Sequence, residues 1–339
     1  MKMRKSYRIT KAGSLNNLVL VDEELDCPAD NEVTVDVRAI GLNFADVFTI
    51  LGLYKAAPKS DFIPGIEFSG VIRQTGKSVA DHSVGERVMG SIRFGAFTSR
   101  LNIDSTYVIK IPEEWSFEEG ASFIVQSLTA YYALVRLGDI KREQTVLIHS
   151  AAGGVGMYAN RIAKKIAAYT IGSVGNSSKL EALKGEGYDR VIVRDGGFRN
   201  RLAEALGERK LDIILDSLGG KIQKESFDFL APSGRMVSYG ATDFASAGSR
   251  PNYFRLARKY IGMARYDSLN LIESNRSIMG FNLIWLYSQS EMLKGMIREI
   301  LALRLPRPYV GQVLPFTRLK DAVRLLQSGK TVGKVVVTV

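Results

Sequence analysis

The stretch TVLIHSAAGGVGMYANRIAKKI, Thr145 to Ile166, constrains the fold more than any other part of the chain. An apolar run, Thr145 to His149, enters the small-residue cluster Ala151-Ala152-Gly153-Gly154-Val155-Gly156, which leads into an amphipathic run, Met157 to Ala168. Strand, glycine turn and helix in direct succession open a doubly wound parallel sheet. The cluster is the dinucleotide pattern G-x-G-x-x-G with alanine at its first position. A small first residue allows a tight turn. Gly153 lets the backbone approach a pyrophosphate, and Gly156 lets the helix pack close to the strand. The helix amino end then offers unpaired N–H groups and the positive end of its dipole to a phosphate. Ala152, Gly153, Gly154, Val155 and Gly156 are therefore expected to bind a dinucleotide.

Beyond the turn the alternation continues. Strands are predicted at Tyr169 to Val174, Arg190 to Val193, Leu211 to Asp216 and Arg235 to Tyr239, with helices at Ser178 to Lys184, Arg199 to Leu206 and Ile222 to Leu230 between them. That rhythm argues for a parallel sheet covered by helices on both faces. Asn252 to Ile272 reads as one helix, basic and aromatic, suited to a lid or crossover. Ile278 to Leu283 reads as a sixth strand, and Glu291 to Leu303 as an amphipathic helix. Residues before about 120 read differently. Glu32 to Ala39 (EVTVDVRA) alternates as a half-buried strand does, and glycines at 70, 76, 85, 90 and 95 imply short β-turns. The tail GKVVVTV is a strand expected to return to this first region.

The choice of dinucleotide follows from the loop after the second strand. NAD sites place an acid about 20 residues beyond the turn to hold the ribose 2′-hydroxyl. Here Ser173 to Ser178 has no acid and is followed by Lys179. A carboxylate there would repel a 2′-phosphate, whereas a lysine attracts it. NADP(H) is the expected cofactor, with Lys179 as the main phosphate partner, Ser177 or Ser178 assisting, and Arg194 adding charge from the end of the third strand.

Composition excludes several function classes. With one cysteine, Cys27, the chain can form no internal disulfide. Its two histidines, His82 and His149, lie far apart in sequence, so no metal site is expected. The net charge of +11 comes from dispersed basic residues and reads mostly as solvated surface. No apolar run approaches the roughly 20 residues of a membrane span, and the start, MKMRKSYRI, lacks the apolar core of a secretion signal. A cytoplasmic location is expected.

The segments VRAIGLNFADVFTILGLY, PGIEFSG, GERVMG, VLIHSAAGGVG, LDIILDSLGG, GRMVSYGA and GKVVV occur in that order along nearly the whole chain. With them the chain resembles the zinc-free quinone oxidoreductase group, the zeta-crystallin-like members of the medium-chain dehydrogenase/reductase superfamily. The segment from Asn275, beginning NRSIMGFNL, looks most like the branch of the vesicle amine transport protein homologue. The resemblance implies a β-rich, GroES-like catalytic domain at 1–124 and 285–339, with a Rossmann domain inserted at 125–284 and the active site between them. It also implies a homodimer. Zinc alcohol dehydrogenases, similar in the same segments, carry cysteine and histidine where this chain has Asn43 and Ile66, neither of which supplies a thiolate or imidazole.

The resemblance implies an oxidoreductase that reduces a quinone with NADPH without a metal. A quinone suits such a site because its anionic product is delocalised, leaving alignment and a hydrogen-bond donor as the main requirements. Asn43, at a metal-ligand position of the zinc relatives, is expected to face the nicotinamide as a positioning donor, with Tyr54 as hydrogen-bond or proton donor. Asp46 reads as holding its own turn. Family position points to Thr129, Ser217, Gly240, Ala241, Phe281 and Asn282 along the cofactor groove, and to Lys334, or else Lys330, approaching the cofactor phosphates. Tyr158, Trp285 and Tyr287 read as core or interface. Reduction of activated alkenes, enones or 2-enoyl thioesters, would use the same cleft. A non-catalytic, NADPH-regulated RNA- or membrane-binding protein is the rival of another class. It lacks an aromatic–basic nucleic-acid motif in its favour.

Overall fold

The computed structural model describes residues 2–245 and 248–339. Its centre is a six-stranded, all-parallel sheet. The strands lie in the spatial order Arg190–Val193, Tyr169–Val174, Thr145–His149, Leu211–Asp216, Leu230–Ser238, Ser277–Gly280. Thr145–His149 is buried at every position, as a strand covered on both faces must be. From it the chain winds first to one side and then to the other, so a crevice opens at its carboxyl end, where open α/β sheets bind ligands.

The glycine cluster lies at that crevice. The helix begins at Gly154, three residues before the apolar periodicity does, and runs Gly154–Lys165. The long helix expected over 252–272 is two helices, Tyr253–Ile261 and Ser268–Ser274. Gly262 ends the first, and the Asp267 carboxylate caps the second by accepting the Asn270 N–H. Neither helix buries a residue, and Tyr253, Phe254, Ile261 and Ile272 are exposed. The sixth strand is shorter than expected because Asn282 already caps the following 3₁₀ turn, Leu283–Leu286. No described helix is long and apolar enough to cross a membrane.

A second, seven-stranded sheet carries the first region of the chain. Its backbone is Val310–Pro315, Lys334–Thr338, Glu32–Gly41, Glu67–Thr75, Arg87–Ser91 and Val108–Lys110, with Arg100–Asp104 paired onto Glu32–Gly41. The tail does return: Val336 pairs with Gly41 in antiparallel register. This sheet closes over its own core, which includes Val35, Ile40, Phe68, Ile72 and Val337. The helix Ser290–Ala302 lies on the other side of the expected 284/285 boundary from its partners. Leu293, Met296, Ile297 and Ile300 share a core with Leu128, Ile148 and Ile162. The same core takes in Met89 and Ile111 of the first region, and the chain rejoins the second sheet at Val310–Pro315.

Candidate active site

One cleft of about 370 Å³ runs between the two sheets, within the size range of small-molecule sites. The glycine turn forms one wall. Ser150 takes a left-handed conformation at φ +53° and starts the tight turn. A Cβ on Gly156 would lie 2.5 Å from the Ser150 carbonyl oxygen and 2.8 Å from Ala151 Cα. A Cβ on Gly154 would overlap the Gln126 side-chain amide. The helix start therefore packs this close to the Ser150–Ala151 backbone and to Gln126 because these positions are glycine. The turn is also tied to the other domain, since the Gly333 N–H donates to the Ala152 carbonyl at 2.7 Å.

Lys179 and Arg194 line the same cleft. Arg194 Nη1 donates to the Ser173 carbonyl at 2.6 Å and to Ser173 Oγ at 3.0 Å, which aims the guanidinium across the end of the second strand. Burial pulls the Arg194 pKa down to about 10, against the raising effect of Asp216 and Asp243. Lys179 is lowered by burial and then by the charge of Arg194. Two partly desolvated cations beside each other form a site for a polyanion. Ser177 and Ser178, one of which was expected to assist, are exposed and lie outside the lining, while the Asn176 side chain accepts the Ser178 N–H at 2.8 Å.

The far wall holds a buried polar cluster. Lys334 Nζ donates to Glu67 Oε2 at 2.6 Å and to Asn43 Oδ1 at 2.7 Å. Glu67 is fully buried and Lys334 is 4% exposed. Glu67 Oε1 also accepts the Val125 N–H at 3.0 Å. Asn43 Nδ2 donates to the Gly41 carbonyl at 3.1 Å and to Glu67 Oε2 at 3.3 Å. Two sequence expectations change here. Asn43 lines the cleft, but its amide is engaged within the cluster rather than offered to a ligand. Lys334 lines the cleft too, but its ammonium is held by Glu67 and Asn43 rather than extended toward the phosphate end.

Asp46 holds its turn as expected, accepting the Asn43 N–H at 2.7 Å at the start of the helix Phe44–Ile50. Its Oδ1 is buried without a partner among the described residues. Burial pushes the Asp46 carboxyl up to about 7, despite the lowering effect of the Asn43 N–H and of Lys334. The folded chain therefore holds this proton between about pH 4 and pH 7, where an unfolded aspartate has released it. The resulting stability is complete below about pH 4 and is lost as pH rises through the folded value. We expect urea unfolding at pH 5, 6 and 7 to show the parent losing up to about 1.4 kcal/mol more per pH unit than Asp46→Asn. Parallel pH profiles for the two proteins would contradict this.

Tyr54 Oη donates to Asn282 Oδ1 at 2.8 Å, bridging the two domains at the cleft. Burial, then the charge of Asp46, raises the phenol's pKa against the lowering bond to Asn282, so it stays protonated and able to donate at neutral pH. Thr129 lines the cleft while its hydroxyl bonds back to the Val125 carbonyl at 2.7 Å. Ser217, Gly240, Phe281 and Asn282 line the cleft. Ala241 is not part of the lining and stands at the start of the 3₁₀ turn Thr242–Phe244. Tyr287, read from sequence as core, is buried yet lines the cleft and bonds Ser91. Gln126 and Glu67 escaped the sequence reading. Glu67 had a signal: an acid inside the otherwise apolar strand segment PGIEFSG.

Comparison with known proteins adds the following. Residues 186–337 match the family model described as zinc-binding dehydrogenase, and residues 29–113 match the alcohol dehydrogenase GroES-like domain. Over 311 residues the chain is 33% identical to the Synaptic vesicle membrane protein VAT-1 homolog of Homo sapiens, spanning 91% of this chain and 79% of that protein. The fold superposes on the Escherichia coli quinone oxidoreductase complexed with NADPH, with a TM-score of 0.84 and 27% identity over 100% of both chains. It superposes equally well on CurK enoyl reductase, with a TM-score of 0.83 and 27% identity over 99% of each chain.

Proposed function

The chain belongs to the medium-chain dehydrogenase/reductase superfamily, and from that premise we propose that it is an NADPH-dependent, zinc-independent quinone oxidoreductase. The observation that carries this reading is a cleft with a glycine-lined helix amino end and two cations without an ion pair among the described residues along one wall, and a buried ammonium–carboxylate cluster in the other.

The residues fit the cofactor. Gly156 lets the helix start pack against the Ser150–Ala151 backbone, and the N–H groups at the start of Gly154–Lys165 would receive the charge of the diphosphate. Lys179 and Arg194 hold the 2′-phosphate, forming no ion pair of their own among the described residues. Thr129, Ser217, Gly240, Phe281 and Asn282 line the groove between these points and the second domain. When bound, the reduced nicotinamide supplies the hydride.

The residues do not fit the zinc that the family description names. Asn43 and Ile66 stand at two ligand positions, and the carboxylate of Glu67 is already neutralised by Lys334. The chain's own groups must therefore orient the acceptor. Ile66, Ile92, Leu283 and Tyr287 give it an apolar lining and exclude water. Tyr54 holds a proton at its Oη, which transfers its hydrogen bond from Asn282 to the acceptor oxygen. The homodimer we propose would form along Ser277–Gly280, whose outer edge is unpaired among the described strands.

Reduction of activated alkenes is the second reading, favoured by the likeness to an enoyl reductase. NADPH oxidation with 1,4-naphthoquinone, 9,10-phenanthrenequinone and crotonyl-CoA, measured side by side, separates the two. Turnover of the quinones alone supports the first reading, turnover of crotonyl-CoA alone the second, and turnover of none defeats both. The cofactor assignment has its own test. Lys179→Gln is expected to weaken NADPH binding about tenfold and to leave NADH binding unchanged, because one charge-assisted phosphate contact is removed. Equal losses for both cofactors would overturn the assignment of Lys179.

A further inference from the structure

The cluster around Glu67 leaves one polar group with capacity to spare. Asn43 has both amide hydrogens and its oxygen engaged. Glu67 accepts from Val125, Asn43 and Lys334. An ammonium carries three N–H donors, and Lys334 uses two of them, on Glu67 and Asn43. Among the described residues the third has no partner, and the residue lines the cleft. The Lys334 side chain reaches this position by crossing Gly41, where a Cβ would come within 2.8 Å of Lys334 Cε. Its backbone is anchored at Tyr309, and the preceding residue, Gly333, bonds the cofactor turn at Ala152.

We propose that Lys334 is a catalytic residue whose third N–H faces the bound acceptor and stabilises the negative charge that develops on its carbonyl oxygen. This rests on the reductase reading above and names the group that takes over the role of a metal cation there. As hydride adds to the acceptor, an electron pair moves onto the carbonyl oxygen. That oxygen accepts a hydrogen bond from Nζ. Lys334 keeps its proton throughout, and the product anion takes its proton from bulk water once it leaves the cleft. Glu67 and Asn43 hold the ammonium in place, so no reorganisation is needed as charge appears, and the apolar lining keeps the interaction strong. The Gly333–Ala152 bond places this cation one residue from the turn that grips the cofactor.

The test uses p-nitrophenol, whose phenolate mimics the developing oxyanion and absorbs differently from the phenol. With the protein saturated in NADP⁺, the pH at which the bound probe ionises is measured for the parent, E67Q and the charge-balanced pair E67Q/K334M. Ionisation is expected at about one pH unit lower in the parent than in E67Q/K334M, and lower again in E67Q, where the ammonium is no longer countered. Single-turnover reduction of 1,4-naphthoquinone by the NADPH complex is expected to fall about 100-fold in E67Q/K334M, with NADPH affinity retained. A lysine that served only packing would give no such order. The same ionisation pH in all three proteins overturns the proposal, and the E67Q comparison alone decides it if the double variant is not stable. A parent that reduces no acceptor would defeat the reductase reading instead, leaving the probe series to judge Lys334.

Discussion

Exchanging Gly156 for valine is expected to weaken NADPH binding by at least about 100-fold. The strand Thr145–His149 and the helix Gly154–Lys165 meet through a turn in which Gly156 sits 2.5 Å, measured from its ideal Cβ, from the Ser150 carbonyl oxygen. The next neighbours are also backbone, at Ala151. No flexible side-chain end is available to yield, so a branched residue must push the helix start away from the strand. The displaced elements are the ones whose N–H groups and dipole end receive the diphosphate. Overpacking of this kind costs about 1–3 kcal/mol of stability. The loss in binding comes in addition, because several aligned donors leave together. We expect calorimetry to show affinity reduced at least about 100-fold, the equivalent of roughly 2.7 kcal/mol. Gly295→Ala is the control. It lies in the helix Ser290–Ala302 with nothing within 4 Å of its Cβ position, and it should bind NADPH as the parent does while gaining up to about 1 kcal/mol of helix stability. A valine variant that binds NADPH within threefold of the parent would refute the role assigned to the turn.

The contrast between that turn and the opposite wall explains what could be read in the sequence. The turn is local: strand, small residues and helix are contiguous, and each residue's task follows from its neighbours in the chain. Asp46 was legible for the same reason, lying three residues from the N–H it accepts. The loop carrying Lys179 was legible because a missing acid at a known offset from the turn is itself a signal. Arg194 was legible by its place at the end of a parallel strand. Lys334 was not, since its partner Glu67 is 267 residues away and meets it only when the last strand pairs with Glu32–Gly41. A lysine at the start of a terminal strand ordinarily reads as solvated. Asn43 was placed at the right wall, but the use of its amide depended on that same distant lysine. The break at Gly262 was visible as a glycine but was overridden by continuous amphipathic patterning on either side. The helix Ser290–Ala302 could be recognised from its periodicity, whereas which core its apolar face would join is a property of packing alone.

The buried pair makes a second demand, on stability rather than chemistry. Lys334→Met is expected to destabilise the protein by about 3–5 kcal/mol, the range for breaking a buried ion pair from one side. Glu67 is 0% exposed, so removing the ammonium leaves its carboxylate with only the Val125 and Asn43 N–H donors. The strand would still pair through its backbone, with Val336 opposite Gly41, and methionine roughly preserves the volume of the stem, so packing loss is a small part of the effect. The cost lies in the uncompensated charge. It follows that Glu67→Gln placed on top of Lys334→Met should restore most of the loss, because the glutamine amide keeps hydrogen-bonding capacity without a charge to desolvate. Denaturant unfolding of the parent, both single variants and the double variant closes the cycle. A strongly favourable coupling energy, on the order of 2 kcal/mol or more, is expected, with an unchanged denaturant slope reporting the same folded surface. If the two single losses simply add, Lys334 and Glu67 are not an energetic pair, and the ammonium is not held in place for the role assigned to it at the cleft.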